Sequence, residues 1–237
     1  MSNGIYAATA GAVAQSNALD TTANNIANAS TTGFHADRVT FQEALTQARS
    51  VDLAGVGTGT TRIDSMPGAL AQTGNPLDLA LEGDGYFGVS TPQGTRYTRA
   101  GNFELDKTRS LVTSDGFKVR GQNGAPITIP PEAQSIAVSA DGTVSADGNE
   151  LGKIEIKKFP SAQLRREGAT LFSATGAPQA GDPPIVRSGM LESSNVNIVR
   201  GVVDLVKTSR NYESLMKMIQ GYHDCESLAA RELGTPK

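Results

Sequence analysis

The sequence predicts an α+β protein whose N- and C-terminal helices pair as a coiled coil, with a mainly antiparallel β domain inserted between them. Two observations carry this reading. Ile5, Ala12, Leu19 and Ile26 recur at seven-residue spacing near one end, and Ile198, Leu205, Tyr212 and Ile219 do so near the other. Val202, Ser209 and Met216 fill intervening positions of the second stripe. A seven-residue apolar repeat keeps one seam of a helix turned toward a partner helix. Between the stripes the chain breaks into short runs separated by tight-turn dipeptides, the pattern of antiparallel strands. The expected organisation is an N-terminal helical segment over 1–33, a connector over 34–74, a β domain over 75–188 and a C-terminal helical segment over 189–237.

Taken in order, residues 3–28 lack Pro and contain Gly only at Gly4 and Gly11. Small residues along this stripe (Ala8, Ala12, Ser16, Ala23, Ala27) would let a partner helix approach closely. The run Asn24-Asn25-Ile26-Ala27-Asn28-Ala29-Ser30-Thr31-Thr32-Gly33-Phe34 then ends the helix. Asn, Ser and Thr compete for backbone hydrogen bonds, and Gly33 can take the positive φ of a helix exit. Asn28-Ala29-Ser30 is a formal glycosylation sequon, but its place at the exit assigns it to capping. Phe34, Phe41, Ala44, Leu45 and Ala48 suggest a short amphipathic segment. Val51 to Pro67 reads as a flexible or extended connector. Its Gly55–Thr60 stretch lacks the Lys-Ser/Thr ending of a phosphate-binding loop, and no helix pattern follows it.

From Leu77 to Met190, turn signals at Glu82–Gly85, Asp115-Gly116, Asn123-Gly124, Asp141-Gly142 and Asp147-Gly148 divide strands expected at 86–90, 96–98, 110–113, 118–120, 127–129, 135–138 and 153–159. A Pro- and Gly-rich loop over 174–184 marks the exit. Asn195 or Ser194 is placed to cap a helix entering at Val196 and running to Leu228.

Composition narrows the function. The apolar fraction is 38%, aromatics are 5%, Trp is absent, and the formal net charge is −3. That balance gives no electrostatic reason to expect nucleic acid or an anionic membrane surface. One cysteine, Cys225, excludes an intramolecular disulfide and a Cys-based zinc site. The N-terminus lacks the basic start and apolar stretch of a secretory signal, and no run approaches a membrane span in length.

No constellation of side chains converges on catalysis. His223-Asp224-Cys225 places a His and the thiol two apart, about 200° around a helix, where neither activates the other. His35, the other histidine, lies far away in sequence. The acidic residues Asp78, Glu82, Asp84, Asp106, Asp115, Asp141 and Asp147 adjoin turn signals, where Asp serves the backbone; Glu104 is the exception. No Gly-x-Ser-x-Gly elbow or Walker-type loop is present. The expectation is no catalytic residue, cofactor or metal. The assembly-interface candidates are Ile5, Ala12, Leu19, Ile26, Ile198, Val202, Leu205, Tyr212, Met216 and Ile219. Asn28, Gly33 and Phe34 form the helix exit.

Three motifs carry a resemblance. Ala23–Phe34 resembles the N-terminal signature of bacterial flagellar rod and hook proteins, and Gly189-Met190-Leu191-Glu192-Ser193-Ser194-Asn195-Val196-Asn197 resembles their C-terminal signature. Between them, Asn75–Phe87 and Tyr97-Thr98-Arg99-Ala100-Gly101-Asn102-Phe103 are similar to the family's β domain. The resemblance covers nearly the whole chain, with its motifs in the right order. The single β body argues against the hook protein. Pro76–Leu81 and Gly4-Ile5-Tyr6 look more like a proximal-rod than a distal-rod subunit. The resemblance implies a structural subunit of the basal-body rod, exported unfolded through the flagellar type III apparatus without a cleaved signal. Its implied partners are copies of itself, other rod proteins and the basal-body rings. The competing reading is a secreted β-domain enzyme or binding module that uses its helices to oligomerise.

Overall fold

The computed structural model describes residues 2–40 and 60–233. Phe41, Ala44, Leu45, Ala48 and the Gly55–Gly59 stretch lie outside the described residues. The chain divides into two units: residues 1–27, 37–62 and 197–237 form one, and residues 28–36 and 63–196 form the other.

The first unit is built on two helices, α1 (Ser2–Ala27) and α2 (Ile198–Leu233). They lie side by side and antiparallel. A methyl group added at Gly4 would stand 2.7 Å from the Tyr222 hydroxyl, one at Gly11 3.3 Å from Leu215, and one at Gly201 2.9 Å from Ile26. The glycines thus set the closest approach of the two helices.

Helix α2 starts two residues later than the sequence suggests, and Asn197 caps it. Its Oδ1 accepts from the Arg200 N–H at 3.0 Å and its backbone oxygen from the Gly201 N–H at 2.9 Å. Neither expected cap fills this role, because Asn195 and Ser194 lie too far upstream. Asn195 is bound to other backbone groups in the second unit. A two-stranded sheet of β1 (Asp37–Thr40) and β2 (Thr60–Ile63) completes the first unit. Residues 37–40 are therefore strand, where the sequence suggested the start of an amphipathic segment. Asn25 holds β1 against α1. Its amide donates to the Asp37 carbonyl at 2.8 Å, and its Oδ1 accepts from the Asp37 N–H at 2.9 Å. The side chain stands in for a neighbouring strand.

In the second unit, the β body, every strand pairing is antiparallel. Its early strands are β3 (Leu70–Gln72), β4 (Leu79–Glu82), β5 (Tyr86–Thr91), β6 (Gly94–Thr98), β7 (Phe103–Leu105), β8 (Leu111–Thr113) and β9 (Lys118–Val119). There follow β10 (Ile136–Val138), β11 (Thr143–Ala146), β12 (Asn149–Lys153) and β13 (Ile156–Lys157). The last are β14 (Leu164–Arg166), β15 (Leu171–Ala174), β16 (Ile185–Ser188) and β17 (Met190–Glu192). The main sheet runs β14-β15-β6-β5-β9-β8-β7, with β13 also pairing β5. A three-stranded sheet β10-β11-β12 and the pairs β16-β4 and β17-β3 complete it. Residues 127–129 form no strand and contribute the isolated bridge Ser110–Thr128 instead.

Strand β5 is the hub because it is buried on both faces. Phe87 and Val89 enter a core with Leu79, Leu81, Phe103, Leu111, Val119, Val144, Ile154 and Val186. Tyr86, one residue away and so on the opposite face, joins Ile63, Phe159, Leu164 and Phe172. The Asp147-Gly148 turn between β11 and β12 has both residues at positive φ, +49° and +81°. That is the backbone twist a two-residue hairpin requires.

Phe87 and Phe103 meet edge to face, their ring centroids 5.2 Å apart. Replacing the fully buried Phe103 with Ala leaves a cavity beneath β5. It should destabilise the β body by about 3–5 kcal/mol, read from the urea midpoint of the full chain.

Candidate functional site: the helix pair and the helix-exit junction

The first unit holds the assembly candidates. On α1, Ala12 is buried and Ile5, Leu19 and Ile26 are half-buried. On α2, Leu205, Tyr212 and Ile219 are half-buried, whereas Ile198, Val202 and Met216 are exposed. The half-buried row of α2 continues through Gly201, Thr208, Leu215 and Tyr222. These positions alternate with Leu205, Tyr212 and Ile219 at spacings of three and four; Leu215 and Tyr222 meet α1 at Gly11 and Gly4, and Gly201 faces Ile26. Sequence reading missed Gly201, Leu215 and Tyr222. The signal that could have found them is the pair Gly4 and Gly11, which marks where bulky partners must fit.

The other side of α2 is apolar as well. Ile198, Val199, Val202, Val203 and Val206 are between 45% and 76% exposed. They fall at i, i+1, i+4, i+5 and i+8, on one side of the helix. His223, Asp224 and Cys225 are also exposed on α2.

The helix-exit residues lie in the second unit, around one carboxylate. Asn28 closes the exit turn, accepting from the Thr31 N–H at 3.1 Å and, through Oδ1, from the Thr31 hydroxyl at 3.2 Å. Gly33 has φ +66° and donates its N–H to the Glu192 carbonyl at 2.7 Å. A Cβ there would stand 2.3 Å from the Ala100 nitrogen. Phe34 is fully buried, with the Arg166 guanidinium 4.5 Å above its ring. Next comes His35, also fully buried; its Nε2 lies 2.8 Å from Glu192 Oε1 and its Nδ1 3.0 Å from the Asp64 carbonyl.

Glu192 itself is fully buried. Its Oε1 also accepts from the Gly68 N–H at 3.0 Å, and its Oε2 from Arg99 Nη1 at 3.1 Å. Arg99 donates further to the Leu81 and Gly83 carbonyls. Burial pushes the Glu192 carboxyl up, but the His35 hydrogen bond, the Arg99 charge and the Gly68 N–H together outweigh it. They hold it below the usual glutamate range. Asn195 finishes the junction, accepting from the Ala36 N–H at 2.7 Å and donating to the Met66 carbonyl at 2.8 Å. Sequence reading did not find Glu192, His35 or Arg99 as a group.

Several acidic residues at turns bind local backbone, whereas Glu82 and Asp84 pair with Arg187 and Lys158. Asp106 accepts from the N–H groups of Thr108 and Ser110, and Asp147 from those of Gln134 and Ser135. The Thr143 hydroxyl and N–H, with the Lys153 ammonium, hold the exposed Asp141 carboxyl down at about 2. Among the described residues, no cluster of three or more His, Cys, Asp or Glu is arranged to hold a metal. A surface depression of about 430 Å³ beside Gly121–Ile127 and Leu151–Lys153 has one titratable lining group, Lys153.

Two paired terminal helices, one with an exposed apolar face, and an antiparallel β body between them in the sequence are the architecture on which the comparisons bear. Residues 5–35 match the family described as flagella basal body rod protein. Residues 80–146 match the flagellar hook protein FlgE/F/G D1 domain, and 187–230 the flagellar basal body rod FlgEFG protein C-terminal region. The chain is 32% identical to the flagellar basal-body rod protein FlgF of Rhizobium meliloti, over 99% of both chains. It is 34% identical to FlgF of Escherichia coli, over 94% of this chain and 95% of that one. It is 37% identical to FlgG of Bacillus subtilis, over 85% of this chain and 88% of that one. The chain belongs to the flagellar basal-body rod protein family, and it is a structural rod subunit.

Two outcomes follow from the junction. Gly33→Val combines a left-handed φ with a backbone clash and should destabilise the β body by on the order of 3 kcal/mol or more, measured by urea denaturation. Glu192→Gln leaves the buried Arg99 guanidinium without its counter-charge and should cost about 3–5 kcal/mol. Because the folded carboxyl titrates below its unfolded value, the stability it contributes is present above the ordinary glutamate range. It is lost as pH falls through the folded value. The Glu192→Gln variant should lack this acid limb, which a series of denaturation midpoints from pH 6 to 3 would reveal.

Proposed function

We propose that this chain is a proximal-rod subunit of the FlgF type, built into the rod through α1 and α2 acting as an antiparallel coiled coil. The observation that carries the reading is the apolar face of α2 at Ile198, Val199, Val202, Val203 and Val206. Each such side chain left in water forgoes roughly 1.5–3 kcal/mol of burial. Copies of this chain and other rod subunits are the partners that would cover it. Alignment from end to end with FlgF relatives supports the proximal position. The 37% identity to a FlgG supports the distal-rod alternative. Export in an unfolded state through the flagellar type III apparatus, placement across the periplasm and contact with basal-body rings belong to the same reading. A chain with a single thiol has no disulfide to form before it assembles. The reading assigns no catalytic role: turn carboxylates such as Asp106 and Asp147 bind local backbone, and others pair with basic side chains, as Glu155 does with Arg120 and Glu167 with Arg96.

The test is incorporation in a strain lacking its own proximal-rod subunit. Leu205→Asp and Ile219→Asp bury a carboxylate without a partner in the half-buried row and should abolish incorporation and swimming. Val203→Asp lies off that row. It should leave the circular dichroism of the isolated chain unchanged and still block incorporation. Normal swimming with all three would overturn the axial-helix reading. Rescue of a strain lacking FlgG, but not of one lacking FlgF, would move the subunit to the distal rod.

A further inference from the structure

We infer that residues 185–195 form a strap that closes the β body last. The strand pairings divide into two kinds. One kind joins neighbours in the chain: β5 returns as β6 from Thr91 to Gly94, and β11 as β12 from Ala146 to Asn149. Strands β7, β8 and β9 pair in succession in the same way. The other kind joins the two ends of the body. Among the described residues, β3 pairs only with β17 and β4 only with β16.

The same late segment supplies polar partners all along the early ones. The Gly33 N–H donates to the Glu192 carbonyl, and the Thr73 and Gly74 N–H groups donate to the Gly189 carbonyl. In return, the Gly189 N–H donates to the Asp78 carbonyl and the Ser193 N–H to the Ala69 carbonyl. The Ser188 hydroxyl donates to the Pro76 carbonyl across 112 residues of chain. Asn195 reaches Ala36 and Met66 across 159 and 129 residues. Beneath these bonds Val186 packs into the core that holds Leu79, Leu81, Phe87 and Val89. With the strap withdrawn, β3 and β4 have no sheet partner and that core is open on one side.

Chain entropy sets the order of closure. The probability of closing a loop falls as about the three-halves power of its length. A contact across about 110 residues therefore forms on the order of a hundredfold less often than one across about four. The hairpins form first, and the long closure becomes favourable once they present the rest of the core. One consequence rests on the export reading above. A chain threaded through a channel holds its ends apart, so the strap and the strands it covers meet only after both have passed.

Stopped-flow refolding and unfolding of the full-length chain in urea tests the order. Val186 and Leu81 face each other across the β16–β4 pair, whereas Val89 lies in the β5–β6 hairpin. A contact absent from the folding transition state changes the unfolding rate alone. Val186→Ala and Leu81→Ala should each raise the unfolding rate about tenfold or more and slow refolding less than about twofold. Val89→Ala should slow refolding by about fivefold. Refolding slowed more than about twofold by either strap variant would overturn the inference. The chain is neither exported nor assembled in this measurement, so that result would leave the rod assignment standing.

Discussion

The β body depends on the desolvated carboxylate of Glu192. An ionised carboxylate with no exposed surface is a large liability unless donors surround it. Here His35, Gly68 and Arg99 supply them, and the residue's own backbone oxygen receives the Gly33 N–H. Four chain segments, around residues 33–36, 64–68, 99 and 192–195, meet at this one side chain. Each is a place where the chain enters or turns within the body, so their mutual placement is fixed by polar geometry. An apolar contact would tolerate sliding, whereas two oxygens with three donors do not.

The helix pair rests on the opposite principle, the absence of bulk. Glycines at 4, 11 and 201 and the buried alanines at 8 and 12 let α1 and α2 approach closely. Their interface is thin, and large apolar side chains on α2 remain in water. An ordinary soluble domain would bury such a face. A subunit of an axial assembly leaves it for its neighbours. Under the proposed reading, neighbouring rod subunits would cover that face.

The chemistry of the remaining titratable groups follows from turns. Asp106, Asp141 and Asp147 accept from the backbone two to four residues on or across a hairpin, which lowers their pKa without creating a reactive centre. A depressed carboxyl marks a functional site only when a substrate-sized space and a second group converge on it. Here each carboxyl is bound to nearby backbone N–H groups, and Asp141 and Asp147 are exposed.

By itself the sequence determined the two helices, the antiparallel β body between them and the positions of its tight turns. These are local facts: a seven-residue period, Asp-Gly pairs, and a Gly at the helix exit, each dictated by backbone sterics within a few residues. Tertiary structure alone decided three things. The strand order β14-β15-β6-β5-β9-β8-β7 depends on pairings between distant segments, for which short alternating runs hold no address. The row of α2 that meets α1 runs through Gly201, Thr208, Leu215 and Tyr222, while the more apolar Val202 and Met216 stand outside. Hydrophobicity marks a seam, but the fit to Gly4, Gly11 and Ile26 selects which flank of it closes. Finally, His35 and Glu192 lie 157 residues apart with no shared period. A buried hydrogen-bonded pair leaves no trace in either local pattern, because its partners are chosen by the fold that surrounds them.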